Sequence, residues 1–306
     1  MKLEKKVKHS FWEFIFYSNF FMGLMSIALN FETNIKIGLP LNSISYYLLI
    51  SSLSVLFYLF AYNVPKKYNT ASNARTKFYI DYRKSIKQFN IMTFLIVISS
   101  ACYIVYQAWE KLLHLHYAHY LVLLGTFVLC TSYYNWKFGF SLRRFTWLKP
   151  ILIAWTWAIT TVYLPILMLE IENGIPFNVD ARFYFLFTQT FMYFIVNAII
   201  FDMKDFEDDT NRGLKTFVVK YGINTTLNRI IFPFIGLGFL SFISFGVWYQ
   251  LPFHRILFML IPIAMMAVFA YRLHRPKSIL YYLMAIDGMI VVKAIFGILS
   301  VILFET

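Results

Sequence analysis

Long apolar runs alternate with short, polar and mostly basic segments along the whole chain. The runs predict nine transmembrane helices, at roughly 11–30, 43–62, 91–108, 116–133, 150–170, 183–201, 228–249, 254–271 and 283–304. Each is close to the roughly 20 residues that a helix needs to cross the hydrocarbon layer. The run at 254–271 follows its predecessor after only the short turn "QLPFHR".

Composition agrees with this pattern. Hydrophobic residues make up 59% of the chain and charged residues 14%, where a soluble domain carries about 25% charged. Mean hydropathy is +0.61. The basic residues then orient the bundle. With "MKLEKKVKHS" on the cytoplasmic side, cytoplasmic segments hold 23 Lys and Arg and external segments hold 4, with Lys293 inside the last span. That asymmetry predicts an N-in, C-out orientation. It accounts for the net charge of +13 through lipid-facing loops, with no need for nucleic acid. No small-residue cleavage site follows the first run, so it reads as a retained helix and not a signal peptide. Cys102 and Cys130 lie within spans and read as small apolar residues. The expectation is an all-α polytopic bundle, one domain over 1–306, in the cell (inner) membrane.

One segment breaks the pattern. "FDMKDFEDDTNRGLKT" concentrates carboxylates directly after the sixth apolar run. Asp202, Asp205 and Asp209 are spaced i, i+3, i+7 and would share about 60° of arc on a continuing helix. Three carboxylates on one stripe repel one another unless a cation lies between them. Oxygen ligands suit Mg²⁺, which is usually held by one or two carboxylates together with waters and phosphates. The residues therefore point to a Mg²⁺–diphosphate site at the edge of a lipid-filled cavity. The plainer reading is a solvated acidic loop. Against it, Asp202 abuts the apolar run, where an unpaired charge is costly.

The same loop, D-x-x-D-x-x-x-D followed by G-x-K-T and a later glycine, resembles the second aspartate-rich motif of the UbiA superfamily of intramembrane prenyltransferases. The matching positions are Asp202, Asp205, Asp209, Gly213, Lys215, Thr216 and Gly222. The resemblance implies nine helices, with acidic motifs on cytoplasmic loops after the second and sixth. It also implies an isoprenyl diphosphate with its head at a polar mouth and its chain in the membrane. Lys215 would then contact diphosphate. "GLKT" is not a P-loop, because the "GK" pair and the glycine five residues before it are missing.

The first motif of that family departs here. Its place after the second span reads "AYNVPKKYNTASNART". Asn63 matches the family's asparagine, but the aspartate positions fall on Val64, Lys67 and Ala71. Asp81 comes ten residues too late to replace them. The expectation is a single acidic motif, with Lys66, Lys67 and Arg75 supplying positive charge to the phosphates directly. For each of these, an ordinary positive-inside role is the alternative. Between spans four and five, where the family carries basic residues near the diphosphate, Arg144 and Lys149 are the preferred pair. Lys149 sits just before Pro150 at a helix start.

Charges and amides inside the spans are further candidates. Asp287 and Lys293 lie in the last span, about 120° apart around the helix, so they do not pair directly. Lys293 needs a carboxylate from another helix. Asn197, five residues before Asp202, is an amide within the sixth span and needs a partner. The resemblance places it and Asp287 at the cavity. His114, His116 and His119 cluster on the opposite side and read as interfacial anchors.

Together these features predict a Mg²⁺-dependent prenyltransferase moving an isoprenyl group from an isoprenyl diphosphate to an aromatic or lipid-like acceptor. A terpene cyclase of the same superfamily and a non-catalytic lipid-binding protein on the same scaffold are the alternatives.

Overall fold

The computed structural model describes residues 10–61, 74–133, 146–211, 213–275 and 277–304. Among these residues every regular element is helical. In order they are α1 (Phe11–Tyr17), α2 (Phe20–Ile37), α3 (Ile44–Ala61), α4 (Ala74–Asp81), α5 (Arg83–His114), α6 (Tyr117–Tyr133) and α7 (Leu148–Asn173). They continue with α8 (Ala181–Lys204), α9 (Phe206–Asn211), α10 (Phe217–Tyr221), α11 (Ile223–Trp248), α12 (Phe253–Arg272) and α13 (Ile279–Ile302).

Among the described residues the predicted spans fall on helical segments, the first of them on two helices, α1 and α2. Among the described residues six of these helices, α5, α7, α8, α11, α12 and α13, are long and apolar enough to cross a membrane. The pair α1 and α2 qualifies as a seventh if its two parts are one broken span, bent by 70°. Helices α3 and α6 are apolar but shorter. The chain is thus a multi-pass membrane protein, and all-helical among the described residues.

The break between α1 and α2 has a local cause. Ser10 caps α1 in a reciprocal capping box with Glu13, which fixes where that helix starts. Asn19 then adopts a left-handed conformation, φ 64°, which asparagine tolerates better than most residues. The chain turns there, and α2 runs on to Gly38, whose φ of 77° ends it. Helix α2 therefore extends past the predicted end near 30 and carries Glu32 and Lys36 into the bundle.

Among the described residues three helices contain a wider π turn: Ile159–Tyr163 in α7, Leu227–Ile231 in α11 and Tyr282–Asp287 in α13. The first is explained by Pro165, which lacks the N–H that would bond the Thr161 carbonyl. Thr33 of α2 donates its hydroxyl to that carbonyl at 2.6 Å. Asn42 donates to the Pro165 carbonyl at 2.8 Å. The proline thus frees a backbone acceptor that ties α7 to α2.

The bundle centre is formed by α2, α7, α8 and α13. Met22, Met25, Leu29, Ala154, Trp157, Phe194, Ile290 and Ala294 form one buried cluster across all four. Trp157 and Phe194 stack at 4.9 Å. Of the apolar window in α7, 61% is buried, against 17% in α5, so α7 is central and α5 peripheral. The outward faces of α5 and α11 carry exposed Leu95, Tyr106, Leu240 and Val247, as a lipid-facing surface requires.

Helix α13 passes very close to α2. A Cβ added at Gly297 would lie 2.4 Å from Glu32 Oε1 and 2.8 Å from its Cδ. Glu32 is held from two sides by lysines, so it cannot yield easily. Gly297→Ala is expected to cost about 1–3 kcal/mol through overpacking, read as a lower thermal unfolding midpoint in detergent.

Candidate functional site

The acidic segment closes one end of the bundle. Helix α8 starts at Asp180, whose carboxylate accepts the Phe183 N–H at 2.9 Å, and runs through the core. It stops at Asp205, where φ and ψ are −96° and 9°. Helix α9 starts again at Phe206, and the Asp209 N–H bonds back to the Asp205 carbonyl at 2.8 Å. The Leu214 N–H returns to the Asp209 carbonyl at 2.9 Å, across Gly213 with φ 65°. This compact turn brings Asp209 back beside Asp202.

The remaining residues of the loop motif have local structural roles. Thr216 caps α10 by accepting the Val219 N–H at 3.3 Å. Gly222 ends α10 with φ 78°, a value that strains any residue with a Cβ. Lys215 is exposed at the rim of the turn.

Lys149 reaches into the centre of this end. Its ammonium contacts Asp202 Oδ1 and lies 3.6 Å from Asp209 Oδ2. Asp202 is 0% exposed, Asp209 1% and Lys149 7%. Lys149 sits in the first turn of α7, where the helix dipole disfavours a cation, so the two carboxylates are what hold it there. Trp147 packs edge-on against Phe217 at 4.5 Å and fixes the start of α7 over α10.

Asp205 takes a different direction. It pairs with Lys204 at 3.3 Å and is about a third exposed. The expected single stripe of three carboxylates assumed a continuous helix, and the break at Asp205 removes that continuity. Asp202 and Asp209 share one cation, while Asp205 stands with its own lysine.

A second polar group lies alongside. Asp287 is buried on the π turn of α13, which packs against α8. Its Oδ2 accepts no hydrogen bond among the described residues, and the charges of Lys204 and Arg75 both reach it. Arg75 is buried in α4 and donates to Asn19 Oδ1. Asn19 Nδ2 donates to the Tyr79 hydroxyl at 2.9 Å. Asn197 is buried, and neither of its amide atoms has a hydrogen-bond partner among the described residues.

Of the sequence candidates, Asn63, Lys67 and Arg144 lie outside the described residues. Asp202, Asp209 and Lys149 are brought together, and Arg75 stands near Asp287. Sequence reasoning missed Asn19, Tyr79 and Lys204. The signals were a polar residue interrupting "YSNFF" and a lysine within the acidic block. Lys293 does find a carboxylate on another helix, namely Glu32, whose Oε2 is 2.8 Å away. Cys102 and Cys130 are both free.

The donor set fits a hard divalent cation in part. Asp202 and Asp209 supply two carboxylates around a seat now held by an ammonium, and Asp202 Oδ2 has no hydrogen-bond partner among the described residues. Two carboxylates are what Mg²⁺ usually takes from a protein when phosphates complete its shell. Among the described residues no group of three His, Cys, Asp or Glu side chains is arranged to hold a metal. No family model, no curated protein and no solved structure matches the chain.

Proposed function

We propose that the chain is a membrane prenyltransferase of the UbiA type, moving an isoprenyl group from an isoprenyl diphosphate to an aromatic or lipid-like acceptor with Mg²⁺. The observation that carries this reading is the convergence of Asp202 and Asp209 on one cation at the end of an apolar bundle. In the same reading the apolar passages number nine, the orientation is N-in and C-out, and the polar mouth faces the cytoplasm at the inner membrane.

In this reading each side chain takes a role. Asp202 and Asp209 would hold Mg²⁺, which supplies charge neutralisation to the departing diphosphate. Lys149, beside them, would keep a positive charge against the phosphate oxygens as the allylic C–O bond breaks and its electron pair leaves with the diphosphate. Arg75 and Lys204 would add positive charge at the same mouth, and Lys215 would meet the diphosphate from the rim. The unsatisfied amide of Asn197 and the carboxyl of Asp287 would contact substrate deeper in. The apolar interior would hold the isoprenyl chain, and an electron-rich acceptor carbon or oxygen would take up the cation and release a proton.

A second reading, a non-catalytic lipid-binding protein, is favoured by Lys149 itself, whose ammonium already occupies the seat between the carboxylates that a metal would need. Product analysis with farnesyl and geranylgeranyl diphosphate, with and without an aromatic acceptor, separates the readings. Prenylated acceptor is expected. A cyclised hydrocarbon formed without acceptor indicates a terpene cyclase, and unchanged diphosphate in every reaction indicates the lipid-binding reading.

A further inference from the structure

We infer that the membrane-buried cluster of Glu32, Lys36 and Lys293 is the seat of one anionic head group, a carboxylate or a phosphate ester. The cluster is separate from the acidic mouth. Glu32 stands about 20 Å further along α2 than Asn19, at 1.5 Å of rise per residue.

Among the described residues the charges of this cluster do not balance. Glu32 Oε1 is 2.5 Å from the Lys36 ammonium and Oε2 is 2.8 Å from the Lys293 ammonium. Both carboxylate oxygens are thus occupied, and two cations share one anion. The side chains are 1% exposed for Glu32, 5% for Lys293 and 11% for Lys36. Water therefore supplies little compensation, and an excess charge in such a place is costly.

The hydrogen-bond donors do not balance either. Each ammonium has three N–H donors, and one from each is directed at Glu32. The Tyr193 hydroxyl is buried with no hydrogen-bond partner among the described residues. Its ring lies 6.0 Å from the Lys293 ammonium, and the charge of Glu32 reaches it. Spare donors, a surplus positive charge and an unpartnered hydroxyl all lack the same thing, an acceptor bearing negative charge. Lys36 lies in the last turn of α2, at an end of the bundle where a head group can enter while its chain lies along the apolar helices.

Thermal unfolding of the full chain in a neutral detergent tests this. The probes are oleate, phosphatidylglycerol and inorganic phosphate, with phosphatidylcholine as the control. The wild type is expected to show a saturable rise in midpoint with an anionic probe and none with phosphatidylcholine. A response to oleate or phosphatidylglycerol alone identifies the head group of an amphiphile. A response to inorganic phosphate as well identifies a small-anion site. Lys293→Met leaves a neutral Glu32–Lys36 pair and is expected to lose the response. Tyr193→Phe changes no charge and is expected to weaken binding about tenfold, the effect of one hydrogen bond to a charged group. If Lys293→Met does not fold, Tyr193→Phe decides. The inference is overturned if no anion stabilises the wild type, or if these variants respond as the wild type does.

Discussion

Asp202→Asn is expected to abolish Mg²⁺-dependent diphosphate release and to destabilise the protein at once. The catalytic loss is expected to be on the order of a hundred- to a thousandfold, the scale of removing one preorganised charge-stabilising group. The stability loss is about 3 kcal/mol, typical of breaking a buried ion pair from one side. It arises because Lys149 stays buried with its closer counter-charge gone and Asp209 at 3.6 Å. The two effects can be separated. Asp202→Asn combined with Asp209→Asn and Lys149→Met removes all three charges of the cluster and is expected to regain much of the stability while remaining inactive. Asp205→Asn, by contrast, changes a partly exposed pair with Lys204 and is expected to be at least tenfold milder, since exposed pairs contribute little. Unfolding midpoints in detergent and single-turnover diphosphate release are the measurements. An Asp202→Asn protein with wild-type turnover would contradict the assignment of this loop.

Glu32→Ala is expected to produce the largest loss of stability in the bundle, about 3–5 kcal/mol. The substitution leaves Lys36 and Lys293 facing each other with no carboxylate between them, in a region where the Glu32 side chain is 1% exposed. Lys36, at the end of α2, can swing partly toward the interface and relieve some of the cost. Lys293 lies mid-helix and has no such route. Glu32→Ala with Lys293→Met is therefore expected to be more stable than Glu32→Ala alone. Equal midpoints for the wild type and Glu32→Ala would mean that the cluster contributes nothing to folding. Thermal unfolding of the three proteins side by side decides this.

The helical, multi-pass character was legible because a long apolar run has few other uses, although among the described residues six helices, and not nine, are long and apolar enough to span. Their breaks were not legible in the same way. Hydropathy put the end of the first span near 30, because "NFETNIK" is polar on average. The helix nevertheless runs to Ile37, since Glu32 and Lys36 pair with each other along α2 and with Lys293 across it. That Lys293 needed a distant carboxylate followed from its position, but which carboxylate is a matter of how α2 packs on α13. The same limit applies at the acidic loop. The spacing of Asp202, Asp205 and Asp209 marked the loop correctly as unusual, yet the periodicity argument held only while the helix continued. The chain turns at Asp205 instead, and the cation between Asp202 and Asp209 comes from the start of α7, over fifty residues earlier in sequence. Gly213, Thr216 and Gly222 look like motif residues in the sequence. In the fold they are a left-handed turn, a helix cap and a helix stop.

The central claim is that the end of the bundle around Asp202, Asp209 and Lys149 binds a metal-bound isoprenyl diphosphate and promotes its ionisation. The most direct test is diphosphate release from a panel of isoprenyl diphosphates by the purified full chain in detergent, with Mg²⁺ and with EDTA. Release from at least one chain length, dependent on Mg²⁺ and lost in Asp202→Asn, is the predicted result. No Mg²⁺-dependent release from any of them, together with no measurable binding, would contradict the account.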